Sequence, residues 1–182
     1  MVKVYLAGPD VFYPNAAALR LAKHRICAAL GIEGLHPFDN EIATDGLAPA
    51  EAAARIYAAN IALMDRAEAC IANLVPFRGP NVDDGTAFEV GYCIARGLPV
   101  FGYDNRPGSY LDKVAAGGAA TPAGSKVEDF GLSANLMLAI GIPASGGRIV
   151  SLPDAARADG LDAFDACARL LAQIIGTRPA AE

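Results

Sequence analysis

Two carboxylates six positions apart, Asp83 and Glu89, are the residues of this sequence best placed by type and spacing to do chemistry. They lie in the stretch Asp83-Asp84-Gly85-Thr86-Ala87-Phe88-Glu89-Val90-Gly91-Tyr92, which reads as a turn running into a helix. Asp83 or Asp84 can cap the N–H groups that a first helical turn leaves unpaired. Gly85 permits a backbone path that a residue with a Cβ would resist. Ala87, Phe88, Gly91, Tyr92, Ile94 and Ala95 recur at helical spacing, with small residues where a sheet can press close. Glu89 falls early in that helix, where the positive end of the macrodipole favours an ionised carboxylate. A folded turn would bring Asp83 near it. Such a pair suits work at an anomeric carbon, while the plainer account is an N-capped helix with acidic residues in its first turns.

The elements that must position this pair follow from the rest of the chain. Val2 to Ala7 is a β-prone run that breaks at Gly8-Pro9. Asn15 can cap a helix to about Leu30, with Leu19, Ala22, Ile26 and Leu30 on one face and Gly31 as its stop. A short strand near Glu33 to His36 ends at Pro37-Phe38-Asp39-Asn40. An Ala-rich helix runs from about Pro49 to Arg66, with Ile56, Asn60 and Leu63 sharing a face. Ala69 to Val75 is nearly all apolar, as a strand buried on both sides should be. The next strand covers Leu98 to Tyr103. From Asp104 to Gly131 the chain is rich in Gly, Ala, Pro and Ser and reads as a mobile excursion or lid. A helix near Ser133 to Ile140, a strand near Arg148 to Ser151 and a helix from about Pro153 to Ile175 complete it.

Strands alternating with helices predict an α/β three-layer sandwich, flavodoxin-like or Rossmann-like, with a five-stranded parallel sheet in a single domain over residues 1–182. In such folds ligands bind beyond the C-terminal ends of the strands, near the switch in strand order. Those ends carry Gly8-Pro9-Asp10, Pro37 to Asn40, Asn73 to Gly79 and Asp104-Asn105, and the helix bearing Glu89 starts on the same edge.

Composition narrows the chemistry. The chain has 182 residues, 53% hydrophobic and 19% charged, enough apolar content for a sizeable core and too much for disorder. Net charge is −5 without a run of Lys or Arg, which argues against a nucleic-acid polymer as partner but leaves a nucleoside or base open. The four cysteines, Cys27, Cys70, Cys93 and Cys167, form no CxxC pair and no grouping with His24 or His36, so they read as buried thiols and no metal is implied. With no signal-peptide pattern and no membrane-length apolar run, the expected location is cytoplasmic. GxGxxG, GxxxxGK[ST] and GxSxG are all absent, which disfavours a dinucleotide site, a P-loop and a nucleophile elbow, and no cofactor is expected. What remains at the functional edge is acidic, aromatic and amide-rich: Tyr5, Asp10, Phe12, Phe38, Asp39, Asn73, Asp83 and Glu89.

Five stretches in register resemble the nucleoside 2-deoxyribosyltransferase family: Tyr5 to Pro9 with Phe12, Pro37 to Asn40, Ile71 to Gly79, Asp83 to Gly91, and Val127 to Leu132 with Asn135-Leu136-Met137. The resemblance implies transfer of 2-deoxyribose between a deoxynucleoside and a free purine or pyrimidine base. Glu89 would be the nucleophile at C1′, with Tyr5 hydrogen-bonded to it and Asp83 the proton donor to the departing base. The candidate substrate-binding residues are Gly8, Phe12, Phe38, Asp39, Asn73, Gly85 and Asn135. Phe12 and Phe38 would sandwich the base. Asn135 would complete a neighbouring subunit's site in a homo-oligomer. The chain departs from the family pattern at Glu68, where an Asp is usual. Two rival readings stand beside transfer: an N-glycosidase that hydrolyses nucleosides or deoxynucleotides, and a sensing module that binds without turnover.

Overall fold

Val2–Ala7 (β1), Ile32–Leu35 (β2), Ala69–Asn73 (β3), Val100–Asp104 (β4) and Ile149–Ser151 (β5) pair as one parallel sheet in the order β2-β1-β3-β4-β5. The computed structural model describes residues 1–39, 42–106, 108–117, 124–152 and 160–176. The sheet order turns back between β1 and β3, so the crevice expected of such a sheet opens where those two strands end. β3 is buried along its whole length, as a strand covered on both sides must be.

The helices are Ala16–Ala29 (α1), Pro49–Arg66 (α2), Asp84–Ala95 (α3), Tyr110–Gly117 (α4), Leu136–Ala144 (α5) and Leu161–Gly176 (α6). The two-residue period of a strand divides the core between the two faces of the sheet. Tyr5, Ala7, Cys70 and Ala72 pack with Leu63, Met64, Val90, Cys93 and Ile142, which places α2, α3 and α5 on one face. Val4, Leu6, Ile71, Phe101 and Tyr103 pack with Cys27, Phe164, Cys167 and Leu171, which places α1 and α6 on the other. This alternation aims Tyr5 at α3, the helix that carries Glu89. All four cysteines are free and buried. No helix among the described residues is long and apolar enough to cross a membrane.

Three elements depart from the sequence-based expectation. The buried residues of α1 are Leu19, Lys23 and Cys27, so a lysine occupies the apolar stripe beside the expected Leu19, Ile26 and Leu30. The stretch 104–131 contains α4, started by a capping box: Asp112 N–H donates to Ser109 Oγ at 3.1 Å while Ser109 N–H donates to Asp112 Oδ2 at 3.1 Å. Lys113 anchors this helix by donating to Asp104 Oδ2 at 2.5 Å and to the Ser133 carbonyl at 2.8 Å. α6 starts at Leu161, and the expected earlier start, like Asn40 of the Pro37–Asn40 motif, lies outside the described residues.

The link between α5 and β5 folds tightly against the start of β4. Ser145 Oγ accepts from Val100 N–H at 2.9 Å, and a Cβ on Gly147 would stand 1.6 Å from the Val100 carbonyl oxygen. Gly147→Ala therefore forces the two backbones apart. We expect it to destabilise by on the order of 3 kcal/mol and to lower Tm by roughly 10 °C in a thermal melt. An unchanged Tm would mean that this close approach is dispensable.

Candidate functional site

A cavity of about 570 Å³ opens at the predicted edge, lined by Gly8, Val11, Phe12, Pro37, Phe38, Ile42, Thr44, Ile56, Asn60, Asp83, Gly85 and Glu89. Each contribution follows from local structure. β1 ends at Ala7, and Pro9–Phe12 form a 3-10 turn that presents Val11 and Phe12. Gly8 is required by crowding: a Cβ there would lie 2.8 Å from Asn73 Cβ and 2.9 Å from Asp10 Oδ2. A second 3-10 turn, Pro37–Asp39, presents Phe38. α2 adds Ile56 and Asn60, and the start of α3 adds the two carboxylates.

Asp83 is the N-cap of α3, its Oδ2 accepting from the Thr86 N–H at 3.0 Å and the Thr86 hydroxyl at 3.2 Å. The capping reading and a place in the cavity wall are therefore both true of this residue. Gly85 lies within the first helical turn, and its constraint is a Cβ that would stand 3.1 Å from Asp83 Oδ2. Its expected special backbone path gives way to crowding by the cap.

Glu89 and Tyr5 form the centre of the site. The Tyr5 hydroxyl donates to Glu89 Oε1 at 2.5 Å. Tyr5 is fully buried, and burial together with the Glu89 charge pushes its pKa far above the usual tyrosine value, which keeps it a donor. Burial pushes Glu89 up to about 7, against a lowering by the Tyr5 hydrogen bond and a further rise from the Asp83 charge. Burial thus opposes the ionisation that the helix position was expected to favour. Glu89 is the sixth residue of Asp84–Ala95, past the turn where the dipole acts, and desolvation dominates there.

Comparisons with known proteins give the family and the fold. The family model described as nucleoside 2-deoxyribosyltransferase matches residues 4–137, well over half of the chain. The chain belongs to that family. It is similar to a 2-desoxiribosyltransferase from Leishmania mexicana, 33% identical with a TM-score of 0.60, over 76% of this chain and 85% of that one. A conserved protein from Enterococcus faecalis, 23% identical with a TM-score of 0.57 over 91% of this chain and 98% of that one, shares the fold. An uncharacterised protein from Schizosaccharomyces pombe is 42% identical over 113 residues, which are 61% of this chain. The chain spans about half the length of that relative, 54%.

Gly8, Phe12, Phe38, Asp83, Gly85 and Glu89 all line the cavity of this deoxyribosyltransferase-family protein, and Tyr5 lies behind Glu89. Phe12 and Phe38 are 58% and 44% exposed. Phe12 stacks on Phe77 with centroids 5.7 Å apart, and the Arg78 guanidinium lies 4.9 Å from the Phe12 centroid. Three other expected residues are engaged elsewhere. Asn73 is fully buried, donating to Asp10 Oδ1 at 3.0 Å and accepting from Val75 N–H at 3.0 Å. Asp39 holds its own turn, accepting from His36 N–H at 2.8 Å and pairing with His24 at 3.0 Å and Arg20 at 3.5 Å. Asn135 caps α5, accepting from Met137 N–H at 3.0 Å, and donates to Glu128 at 2.6 Å beside a different cavity. Short polar side chains at strand and helix ends serve the nearby backbone first.

Sequence reasoning did not assign Asn60 to the cavity. Its Oδ1 is buried without a hydrogen-bond partner among the described residues, and its signal was a polar side chain on the apolar Ile56–Leu63 face. Among the described residues, no group of three or more His, Cys, Asp or Glu side chains is arranged to hold a metal ion.

The raised Glu89 pKa has a stability consequence. A carboxyl that binds protons more tightly folded than unfolded contributes fully below its unfolded pKa of about 4.5. That contribution is lost as pH rises towards 7, because the native state must then hold a desolvated charge. Glu89→Gln removes the charge and keeps an acceptor for Tyr5. Relative to the parent it should be more stable at pH 8 than at pH 5, by on the order of 2 kcal/mol or roughly 5 °C in Tm. An equal difference at the two pH values would contradict the assignment.

Proposed function

We propose that the protein transfers a 2-deoxyribosyl group between bases through a covalent ester on Glu89. The observation that carries this reading is the Glu89 carboxylate in the wall of a cavity of about 570 Å³, fixed from behind by the Tyr5 hydroxyl at 2.5 Å. The cavity offers two exposed aromatic rings for a heterocycle and two carboxylates for the sugar and the glycosidic bond. The family match and the likeness to the Leishmania protein support a deoxynucleoside and a free base as the two substrates.

In the first step a Glu89 oxygen attacks C1′ as the C1′–N bond breaks, and the bonding pair leaves with the base. The base takes up a proton that the Asp83 carboxyl, on the same cavity wall, relays from solvent. Its capping bonds to Thr86 hold the carboxylate still at the helix entrance. In the second step a nitrogen of the incoming base attacks C1′, the Glu89 carboxylate leaves, and the surplus base proton returns to Asp83. Two inversions give net retention, and a separable acyl-like sugar ester gives ping-pong kinetics. Tyr5 keeps one carboxylate oxygen engaged and stabilises the charge that re-forms when Glu89 departs. Phe12 and Phe38 hold the base by stacking.

The family resemblance also implies a homo-oligomer in which Asn135 reaches a neighbouring site. In the single chain that amide caps α5 and binds Glu128, and a carboxamide's second N–H and second lone pair can serve a neighbour without breaking either bond. Asp39 and Asn73 act on this reading by holding the Phe38 turn and the end of β3.

Incubation of deoxyinosine with adenine or cytosine, followed by chromatography, tests the proposal. A new deoxynucleoside should form only when acceptor base is present, and Glu89→Ala should lower the rate by at least roughly 1000-fold. The acid limb of kcat/KM should lie near pH 7, because only ionised Glu89 attacks. Tyr5→Phe should lower kcat/KM and move that limb to higher pH, since the Tyr5 hydrogen bond holds the Glu89 pKa down. Hypoxanthine released without any exchanged product would assign hydrolysis instead. Binding without turnover, unaffected by Glu89→Ala, would assign a sensing module.

A further inference from the structure

Beneath the aromatic end of the cavity lies a set of buried polar side chains that the chemistry above does not use. Lys23, 1% exposed, donates its Nζ to Asp10 Oδ2 and to the Tyr103 hydroxyl at 2.8 Å. The same ammonium stands 5.4 Å from the Tyr103 ring centroid and 5.0 Å from that of Phe164. Asp10, 2% exposed, accepts at its other oxygen from Asn73 Nδ2 at 3.0 Å. None of Lys23, Asp10 and Asn73 lines the cavity, yet Asp10 belongs to the turn Pro9–Phe12 that supplies Val11 and Phe12 to it.

We propose that Lys23 is a positioning residue for the base-stacking wall, acting through its buried ion pair with Asp10 to hold the Gly8–Phe12 turn in place. The proposal rests on the deoxyribosyl-transfer reading for what the wall binds, and on geometry for how the wall is held. A buried ion pair is a poor source of stability, because apolar residues of the same shape generally do as well or better. Its use lies in direction. The Asp10 carboxylate is gripped from two sides, by Lys23 on α1 and by Asn73 at the end of β3. It also presses against the Gly8 backbone, where a Cβ would stand 2.9 Å from Asp10 Oδ2. Position 10 thereby ties the turn to both the sheet and the helix behind it, two residues before Phe12. The buried His36 nearby does not compete as a cation, since burial pushes its pKa down to about 4. Lys23 remains the cation facing Asp10.

Lys23→Met keeps the unbranched apolar stem of the side chain and removes its charged terminus. Two readouts decide the matter: hydrogen–deuterium exchange of the peptide covering residues 8–13, and steady-state kinetics with a deoxynucleoside donor. The expected result is faster exchange in residues 8–13, with β3 and β4 still protected. KM for the nucleoside should rise at least about tenfold while kcat stays within about threefold. Lys23→Met combined with Asp10→Asn removes the unpaired charge and supplies the same measurements should the single variant fail to fold. Its Tm should return to the parent value or above, while KM stays raised and the turn stays loosened, because a neutral amide at position 10 receives no ion pair. Unchanged protection in residues 8–13, loss of protection spread evenly over the sheet, or a double variant with parental KM would each overturn the proposal. If the parent turns over no nucleoside, the transfer reading fails, and the exchange result alone decides whether Lys23 holds the turn.

Discussion

The hydrogen bond from Tyr5 to Glu89 is the contact on which the rest of the site depends. Both groups lose water on folding, and each perturbs the other: the carboxylate keeps the phenol protonated, and the phenol keeps the carboxylate from becoming more basic still. On the proposed covalent route, a carboxyl poised near pH 7 is a good compromise for a group that must be anionic to attack and a tolerable leaving group afterwards. A fully solvated glutamate would ionise more readily, but as a weaker base and without a fixed orientation. The same desolvation costs the native state stability at neutral pH, a trade that the proposed role of Glu89 accounts for.

The fold supplies this contact through strand periodicity and helix placement. β1 alternates its side chains between the two core faces, so Tyr5 must point towards α2, α3 and α5 once Val4 and Leu6 point towards α1 and α6. α3 begins at the ligand edge with Asp83 as its cap, and Glu89 then comes round on the face that meets Tyr5. The cavity wall is completed by two short 3-10 turns, each held from below by polar side chains. Asp10, Asn73 and Lys23 grip the first; Asp39, His24 and Arg20 grip the second, with Arg20 donating to the Phe38 carbonyl at 2.8 Å. Both exposed aromatic rings are thus carried on turns that polar side chains tie to neighbouring elements.

Much of this was legible in the residues. The runs that became β1 to β4, the helices α1 to α3 and α5, and the meeting of Tyr5, Gly8, Phe12, Phe38, Asp83, Gly85 and Glu89 at one edge followed from period, turn chemistry and motif. The remainder was not legible for identifiable reasons. Asn73, Asp39 and Asn135 are chemically able to hold a ligand, but equally able to serve backbone N–H groups and neighbouring side chains, and sequence does not reveal which demand wins. α4 was hidden because the composition of residues 104–131 outweighed one capping box at Ser109 and Asp112. Lys23 and Asn60 shared a signal that was not carried to a role: a polar side chain at a position where a helix turns its apolar stripe inward. For Glu89 the helix position was visible in the sequence, whereas its desolvation by distant elements was not.

The central claim is that the Glu89 carboxylate forms a bond to the sugar. Its most direct test is intact-protein and peptide mass spectrometry after rapid acid quench of the protein mixed with a deoxynucleoside and no acceptor base. The account predicts a mass increase of one deoxyribosyl group, located on the peptide containing Glu89, absent in Glu89→Gln and discharged when an acceptor base is added. A parent that forms new deoxynucleosides at full rate without any such adduct at Glu89, or with the adduct on another residue, would contradict it.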